Sequence, residues 1–320
     1  FLHSKKTWTG IPIMASNMAD VGTFQIAKEF KKYHMITALH KFYTIKQLEK
    51  LLPKAKNKKN LCYTMGIRKE DFEKLKIIKK KKLDKYFDFI CLDVPNAYLE
   101  HFVGKLKLLR KICPEHILIA GNVVTNEMVE ELLLQGADIV KVGIGSGAAC
   151  LTRRKTGVGY PQFSAVIECS DAAHGISNKQ GYGLIIADGG AVYPSCIAKS
   201  FCGGADFMMS GSLFAGYEQS AGEIIEKEGK KYKLHFGSSS TTALKKFYGG
   251  VANHRASEGR TTLIPLKGDI NPFILDLLGS LRSTGTYIGA RQLKEFSKRA
   301  TFILVNRQLN TSIETHDVED

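Results

Sequence analysis

Eight short apolar runs recur along the chain, at Ile11–Ser16, Met35–Leu39, Leu61–Thr64, Phe89–Val94, Ile117–Ala120, Ile139–Val142, Leu184–Ala187 and Phe207–Met209. Each has the length of a strand. Between them lie segments such as Asp71-Phe-Glu-Lys-Leu-Lys-Ile-Ile78 and Glu127-Met-Val-Glu-Glu-Leu-Leu-Leu134, whose apolar residues recur at helical intervals. Regular alternation of the two patterns implies parallel strands joined by right-handed crossovers. Eight such units favour a closed (β/α)8 TIM barrel of the α/β class over an open doubly wound sheet, and 320 residues suit a barrel built as one unit. No linker or short repeat marks a second domain, so residues 1–320 are expected to form one catalytic domain.

In such barrels the chemistry sits on the loops that follow the strands. Polar residues or glycines stand at those places: Asn17, His40-Lys41, Asp93, Gly121-Asn122, a cysteine loop after the sixth run, Asp188, and Gly211-Ser212. After the eighth run, Glu223–Leu234 reads as a β-hairpin with Gly229 near its turn. The Ser- and Gly-rich segment His235–Thr262 is expected to be a mobile flap over the rim, the whole insertion running over about 217–262, and Ile270–Leu281 a closing helix.

The sixth run leads into Val142-Gly-Ile-Gly-Ser-Gly-Ala-Ala-Cys-Leu-Thr152. Glycines 143, 145 and 147 allow positive φ and close approach of the backbone to a ligand, and successive N–H groups of such a loop can form an anion-binding concavity. Cys150, ionised there, can attack an electrophilic carbon while Thr152 relays a proton. On spacing alone, a tight turn with Cys150 as a small apolar filler stands equally well. Asp188 with two following glycines suits ribose hydroxyls beside a phosphate, or a plain Asp-Gly turn; Gly211-Ser212 is as ambiguous alone, but two adjacent strand ends match a barrel phosphate site. Glu258 is a general acid or base if desolvated, and otherwise a surface carboxylate beside Arg255 or Arg260.

Composition excludes several classes. The formal charge of +15 is most concentrated in Lys54-Ala-Lys-Asn-Lys-Lys59 and Lys79-Lys-Lys-Lys82, tracts without interleaved aromatics, so specific nucleic-acid binding is not expected. Seven cysteines with no CxxC pair argue against a disulfide framework or a structural zinc site. No run approaches the roughly 18 apolar residues of a membrane span, and no signal-peptide profile opens the chain. A soluble, cytoplasmic protein is expected.

The cysteine loop continues as Arg153-Arg-Lys-Thr-Gly-Val-Gly-Tyr-Pro-Gln-Phe-Ser-Ala-Val-Ile-Glu168, followed by Ala187-Asp-Gly-Gly190, Gly204-Ala-Asp-Phe207, Gly211-Ser212 and Arg255-Ala-Ser-Glu-Gly259. In this order, from about Thr7 to about Asn306, the chain resembles the IMP dehydrogenase/GMP reductase family. The resemblance implies a purine nucleotide bound covalently at C2 by Cys150, with Thr152 and Glu258 as the other catalytic residues. It implies a mononucleotide held by Met18, Asp188, Gly189, Gly190, Gly211, Ser212, Gly237, Ser238, Ser239, Arg255, Ala256, Ser257 and Gly259. It implies NADPH along Lys41, Asp93, Val94, Asn96, Ile144, Gly145 and His254, reaching a neighbouring subunit's Ser283, Thr284, Gly285 and Thr286 in a homotetramer. Backbone carbonyls of Gly145, Gly147 and Cys150 would bind a monovalent cation such as potassium.

Within the family, Gly157-Val-Gly-Tyr-Pro161, Asp171-Ala-Ala-His-Gly175, Lys230-Lys-Tyr-Lys-Leu234 and Leu281-Arg-Ser-Thr284 resemble the reductase branch, which converts GMP to IMP and ammonia. The dehydrogenases' water-activating Arg-Tyr pair is His254-Arg255 here, and no regulatory insertion fits between Lys41 and Asp93. A dehydrogenase, or a non-catalytic nucleotide-binding relative, is the alternative. Departures from the family pattern fall in ligand loops. Gly-Pro-Gly-Ser reads Gly145-Ser-Gly-Ala148, removing a serine hydroxyl expected at the phosphate, for which Ser146 is the available substitute. Asn-Met-Asp-Thr-Val-Gly-Thr-Phe reads Asn17-Met-Ala-Asp-Val-Gly-Thr-Phe24, and Tyr-Gly-Met-Ser-Ser reads Phe236-Gly-Ser-Ser-Ser240. The usual hydroxyls after the third strand are replaced near Met65-Gly-Ile67, and extra residues near Ser177–Gly183 lengthen a loop. Residues matching the family's first segment are not found before Phe1.

Overall fold

A computed structural model describes residues 1–55, 58–251 and 256–305. Eight parallel strands close into a barrel in sequence order: β1 (Ile13–Ala15), β2 (Ile36–Leu39), β3 (Leu61–Met65), β4 (Phe89–Asp93), β5 (Ile117–Val123), β6 (Ile139–Val142), β7 (Leu184–Asp188) and β8 (Phe207–Ser210), with β8 pairing back to β1. All eight apolar runs are strands, shifted by a few residues at most. The outer layer is α1 (Phe24–Lys32), α2 (Ile45–Ala55), α3 (Lys69–Lys80), α4 (Glu100–Ile112), α5 (Asn126–Leu134), the short α6 (Thr152–Thr156), α7 (Gln162–Gly175) and α8 (Pro194–Cys202).

Strand side chains alternate between two cores. Met14, Ile36, Ala38, Cys62, Phe89, Cys91, Ile117, Ile119, Ile139, Ile186, Phe207 and Met209 fill the barrel interior, while the other face of each strand packs on the helices. Trp8 packs on Phe89 and Phe207 with ring centroids 5.8 Å from each, so the amino-terminal segment covers one end of this interior. The inward register continues past the apolar residues: two positions after Cys91, Ile139 and Ile186 stand Asp93, Lys141 and Asp188. Charged groups therefore crown the opposite end.

After β8 the chain forms a three-stranded antiparallel sheet of β9 (Ile224–Lys227), β10 (Lys230–Phe236) and β11 (Thr261–Pro265), with β10 in the centre. The hairpin is as expected, its two-residue turn carrying Glu228 and Gly229 at φ 53° and 72°, the geometry of a type I′ turn. The expected flap is more ordered than a loop. Ser240 caps α9 (Thr241–Tyr248), accepting from the Ala243 N–H at 3.1 Å, and Gly249 ends that helix at φ 77°. α10 (Ile270–Tyr287), capped by Asp269, packs on α8 and runs six residues beyond the expected Leu281. The lengthened loop before β7 bridges Ser177 to Tyr182, and its Asn178 amide donates to the Leu2 carbonyl at 2.9 Å. No described helix is long and apolar enough to cross a membrane.

Candidate active site

A cleft of about 600 Å³ opens at the carboxyl ends of the strands, lined by loops after β1, β2, β3, β4, β6, β7 and β8 and by the segments 237–239 and 258–259. Cys150, half-buried, sits in its wall. Its thiol donates to Thr152 Oγ1 at 3.2 Å, and that hydroxyl donates to Glu258 Oε2 at 2.7 Å. The separation of 106 positions between Thr152 and Glu258 is spanned by backbone pairing. The Leu151 N–H donates to the Glu258 carbonyl at 2.7 Å, the Arg260 N–H to the Ala149 carbonyl at 2.9 Å, and the Glu258 N–H to the Ser239 carbonyl at 3.2 Å. The carboxylate is thus delivered by strand-like hydrogen bonds between the cysteine loop and the segment before β11.

At the floor of the cleft Lys141 is buried, its ammonium 2.7 Å from both Asp93 Oδ1 and Asp188 Oδ2 and also donating to Asn122 Oδ1. Asn122 in turn donates to Asp188 Oδ2 at 2.9 Å. Burial opposes the lysine's charge, but Asp188 and Asp93 outweigh it and hold its pKa well above the ordinary value. Burial likewise opposes ionisation of Asp93, yet Lys141 and Lys41 leave it below the usual carboxylate range. Lys141 was not among the residues singled out from sequence, although a lysine on the inward face of Ile139-Val-Lys-Val142 is the available signal. Lys141→Met is expected to strand two carboxylates and cost about 3–5 kcal/mol of stability, measurable by urea denaturation; an unchanged midpoint would show that water can replace the ammonium.

Gly189 and Gly190 follow Asp188 at φ 86° and 75°, and a Cβ on Gly189 would lie 2.8 Å from Ser146 Oγ. Only glycine lets these two loops meet. Their N–H groups are already occupied, Gly189 by the Met209 carbonyl and Gly190 by the Ser146 carbonyl, both at 3.1 Å. The Ser146 hydroxyl donates to the Asp188 carbonyl at 2.8 Å, so it does not stand in for the hydroxyl that Ala148 lacks. Gly211 and Ser212 line the same side of the cleft.

The other half of the cleft is aromatic and cationic. Phe42 stacks on Phe247 with ring centroids 3.7 Å apart, Lys41 Nζ lies 5.9 Å from the rings of Phe42 and Tyr248, and the Arg68 guanidinium is 5.1 Å from Tyr248. Arg68 stands beyond the third strand where the family's hydroxyls are missing, and was not anticipated. Asp93, Val94, Ile144 and Gly145 line the junction of the two halves. Flat rings with two cations fit an anionic dinucleotide. His40 does not share that character: burial, with Lys74 nearby, pushes its imidazole down to about 4, and it stacks on Tyr43 at 4.1 Å.

Several nominated residues are not brought to the cleft of their own chain. Asn96 is exposed and caps a turn, accepting from the Tyr98 N–H at 3.0 Å. Ala256 is exposed, and the Ser257 hydroxyl donates to the Ser239 carbonyl at 3.1 Å. Ser283, Thr284, Gly285 and Thr286 lie on α10, outside the barrel. His254 and Arg255 lie outside the described residues. Of the three carbonyls nominated for a cation, that of Gly147 accepts from the Cys150 N–H at 2.9 Å, leaving a second lone pair. The described residues contain no cluster of three His, Cys, Asp or Glu able to hold a metal.

A sequence profile of the IMP dehydrogenase / GMP reductase domain matches residues 3–316. The chain belongs to this family. Among its relatives it is 52% identical to GMP reductase 2 of Homo sapiens over 312 residues, covering 97% of this chain and 87% of that protein. It is 48% identical to GMP reductase of Ascaris suum over 322 residues, covering 99% and 88%. It is 50% identical to GMP reductase of Caenorhabditis elegans over 313 residues, covering 97% and 85%. Cys150, Thr152 and Glu258, nominated from the sequence resemblance, form one hydrogen-bonded chain.

Proposed function

We propose that the protein is a GMP reductase, converting GMP to IMP and ammonia with NADPH in purine salvage. The observation that carries this reading is the hydrogen-bonded series Cys150 Sγ, Thr152 Oγ1, Glu258 Oε2, with links of 3.2 and 2.7 Å. In the resting orientation protons run from sulfur toward the carboxylate. Attack of sulfur on C2 of the purine forms the C–S bond as the thiol proton passes through Thr152 to Glu258. The relay then runs backwards: Glu258 returns that proton through Thr152 to the 2-amino group, which leaves as ammonia, and C2 remains bonded to Cys150 as a thioimidate. The cofactor, when bound, supplies the hydride for C2. The C–S electron pair then returns to sulfur, IMP departs, and the thiolate takes a proton from water.

Asp188, oriented by Lys141 and Asn122, accepts from the ribose hydroxyls, and Met18, Ser238 and Ser239 border the base. Lys41, Arg68 and the Phe42–Tyr248 face hold the cofactor. The carbonyls of Gly145, Gly147 and Cys150 would hold a potassium ion, which would steady the loop that carries the sulfur. Ser283 and Thr286 are exposed on α10, which supports their use in a neighbouring subunit's cleft, and a homotetramer is the assembly that the family resemblance implies.

The test is incubation with GMP and NADPH, following NADPH absorbance and ammonia together. Equimolar loss of NADPH and release of ammonia are expected. Turnover of IMP with an oxidised nicotinamide cofactor and water, but none of GMP, would assign the chain to the dehydrogenase branch instead. Because Ala148 leaves the phosphate short of a hydroxyl, Ala148→Ser is expected to lower KM for GMP by about tenfold, the worth of one hydrogen bond to a charged group at roughly 1.5 kcal/mol; steady-state kinetics would read it, and an unchanged KM would show that the position is remote from the phosphate.

A further inference from the structure

We propose that His235, oriented by Asp20, donates a charge-assisted hydrogen bond from Nε2 to the phosphate of the mononucleotide. The inference rests on the mononucleotide reading of the cleft and extends it to two residues that the family motifs leave out. His235 lines the cleft although it is only 3% exposed, and its Nδ1 lies 2.6 Å from Asp20 Oδ2, a carboxylate 2% exposed. That bond places a proton on Nδ1, and Nε2 donates when the ring, held between the Asp20 carboxylate and a phosphate dianion, carries its second proton. Asp20 Oδ1 has no hydrogen-bond partner among the described residues, so the imidazole is the one side chain matched to this buried carboxylate. Among the described residues Nε2 has no partner, leaving one ring nitrogen available to the cleft. Asp20 itself stands where the family pattern has threonine.

Topology points that nitrogen toward the phosphate. The barrel order runs β6, β7, β8, β1. His235 is tied to the loop after β1 through Asp20, whereas two residues later Gly237 sits on the cysteine loop after β6, where an added Cβ would be 2.9 Å from the Ala149 carbonyl. The segment from His235 to Gly237, about 7 Å long at the rise of a strand, thus links the loops that flank the ends of β7 and β8. Those ends carry Gly189, Gly190, Gly211 and Ser212. There some of the expected donors are taken: the Gly189 and Gly190 N–H groups and the Ser146 hydroxyl are occupied, and Ala148 brings no side-chain hydroxyl. A donor facing an anionic phosphate from the covering strand adds to what the loops below supply.

The test compares binding of GMP and of guanosine to the wild type, His235→Phe and His235→Gln by calorimetry, with KM and kcat for GMP. Both variants are expected to weaken GMP, His235→Phe by about tenfold or more, with guanosine unaltered and the kinetic loss mainly in KM. Adding Ala148→Ser to His235→Phe is expected to recover most of the loss. His235→Gln keeps a neutral donor and serves as the test if the phenylalanine variant does not fold. Equal weakening of GMP and guanosine would reduce His235 to a structural role, and unchanged GMP affinity would overturn the proposal alone. A wild type that binds no GMP would overturn the functional reading and this proposal with it.

Discussion

Cys150→Ala is expected to lower kcat for GMP by about 10⁴-fold or more while leaving GMP affinity within a few-fold of wild type. The size follows from removing the nucleophile itself, since no other described cysteine lines the cleft. The affinity is spared because Cys150 is half-buried at the wall and its backbone, not its sulfur, holds the loop: the Cys150 N–H bonds the Gly147 carbonyl, and neighbouring residues pair with the segment around Glu258. Single-turnover kinetics with enzyme in excess over GMP would read the chemical step. If folded Cys150→Ala turned over as fast as wild type, sulfur would play no covalent part.

Glu258→Gln is expected to lower kcat by roughly 10²–10⁴-fold, the usual worth of a positioned acid or base. Glutamine preserves the size of the side chain and leaves the backbone pairing of Glu258 with Leu151 and Ser239 untouched, so the loss reports the proton and not the fold. It can accept from Thr152 as the carboxylate does at 2.7 Å, but it cannot store the thiol proton and return it. Ammonia release measured by rapid quench would fall in step with kcat, with KM for GMP little changed. A variant with full activity would place the acid elsewhere.

The barrel was legible because its strands are apolar on both faces while its helices are apolar on one, so eight runs stand out from the pattern between them. The meeting of Cys150, Thr152 and Glu258 was legible only through the family motifs. Nothing in the spacing brings together residues 106 positions apart, and it is hydrogen bonding between the cysteine loop and the segment 258–260 that does so. β11 and α9 were missed inside the Ser- and Gly-rich stretch for different reasons. β11 is short and half-exposed, so its place depends on pairing with β10. α9, by contrast, carried a local signal in Ser240 and Gly249 at its two ends. Lys141 escaped notice because a charge within a buried strand reads as an exception until the inward register of Asp93 and Asp188 supplies its partners.

The central claim is a bond between Cys150 and C2 of GMP, formed with loss of ammonia. Intact-protein mass spectrometry after acid quench during turnover, followed by peptide mapping, tests it most directly. A species heavier than the free chain by the mass of GMP less ammonia is expected, located on the peptide that contains Cys150 and absent from Cys150→Ala. Steady NADPH oxidation and ammonia release with no adduct at any quench time, and with Cys150→Ala equally active, would contradict it.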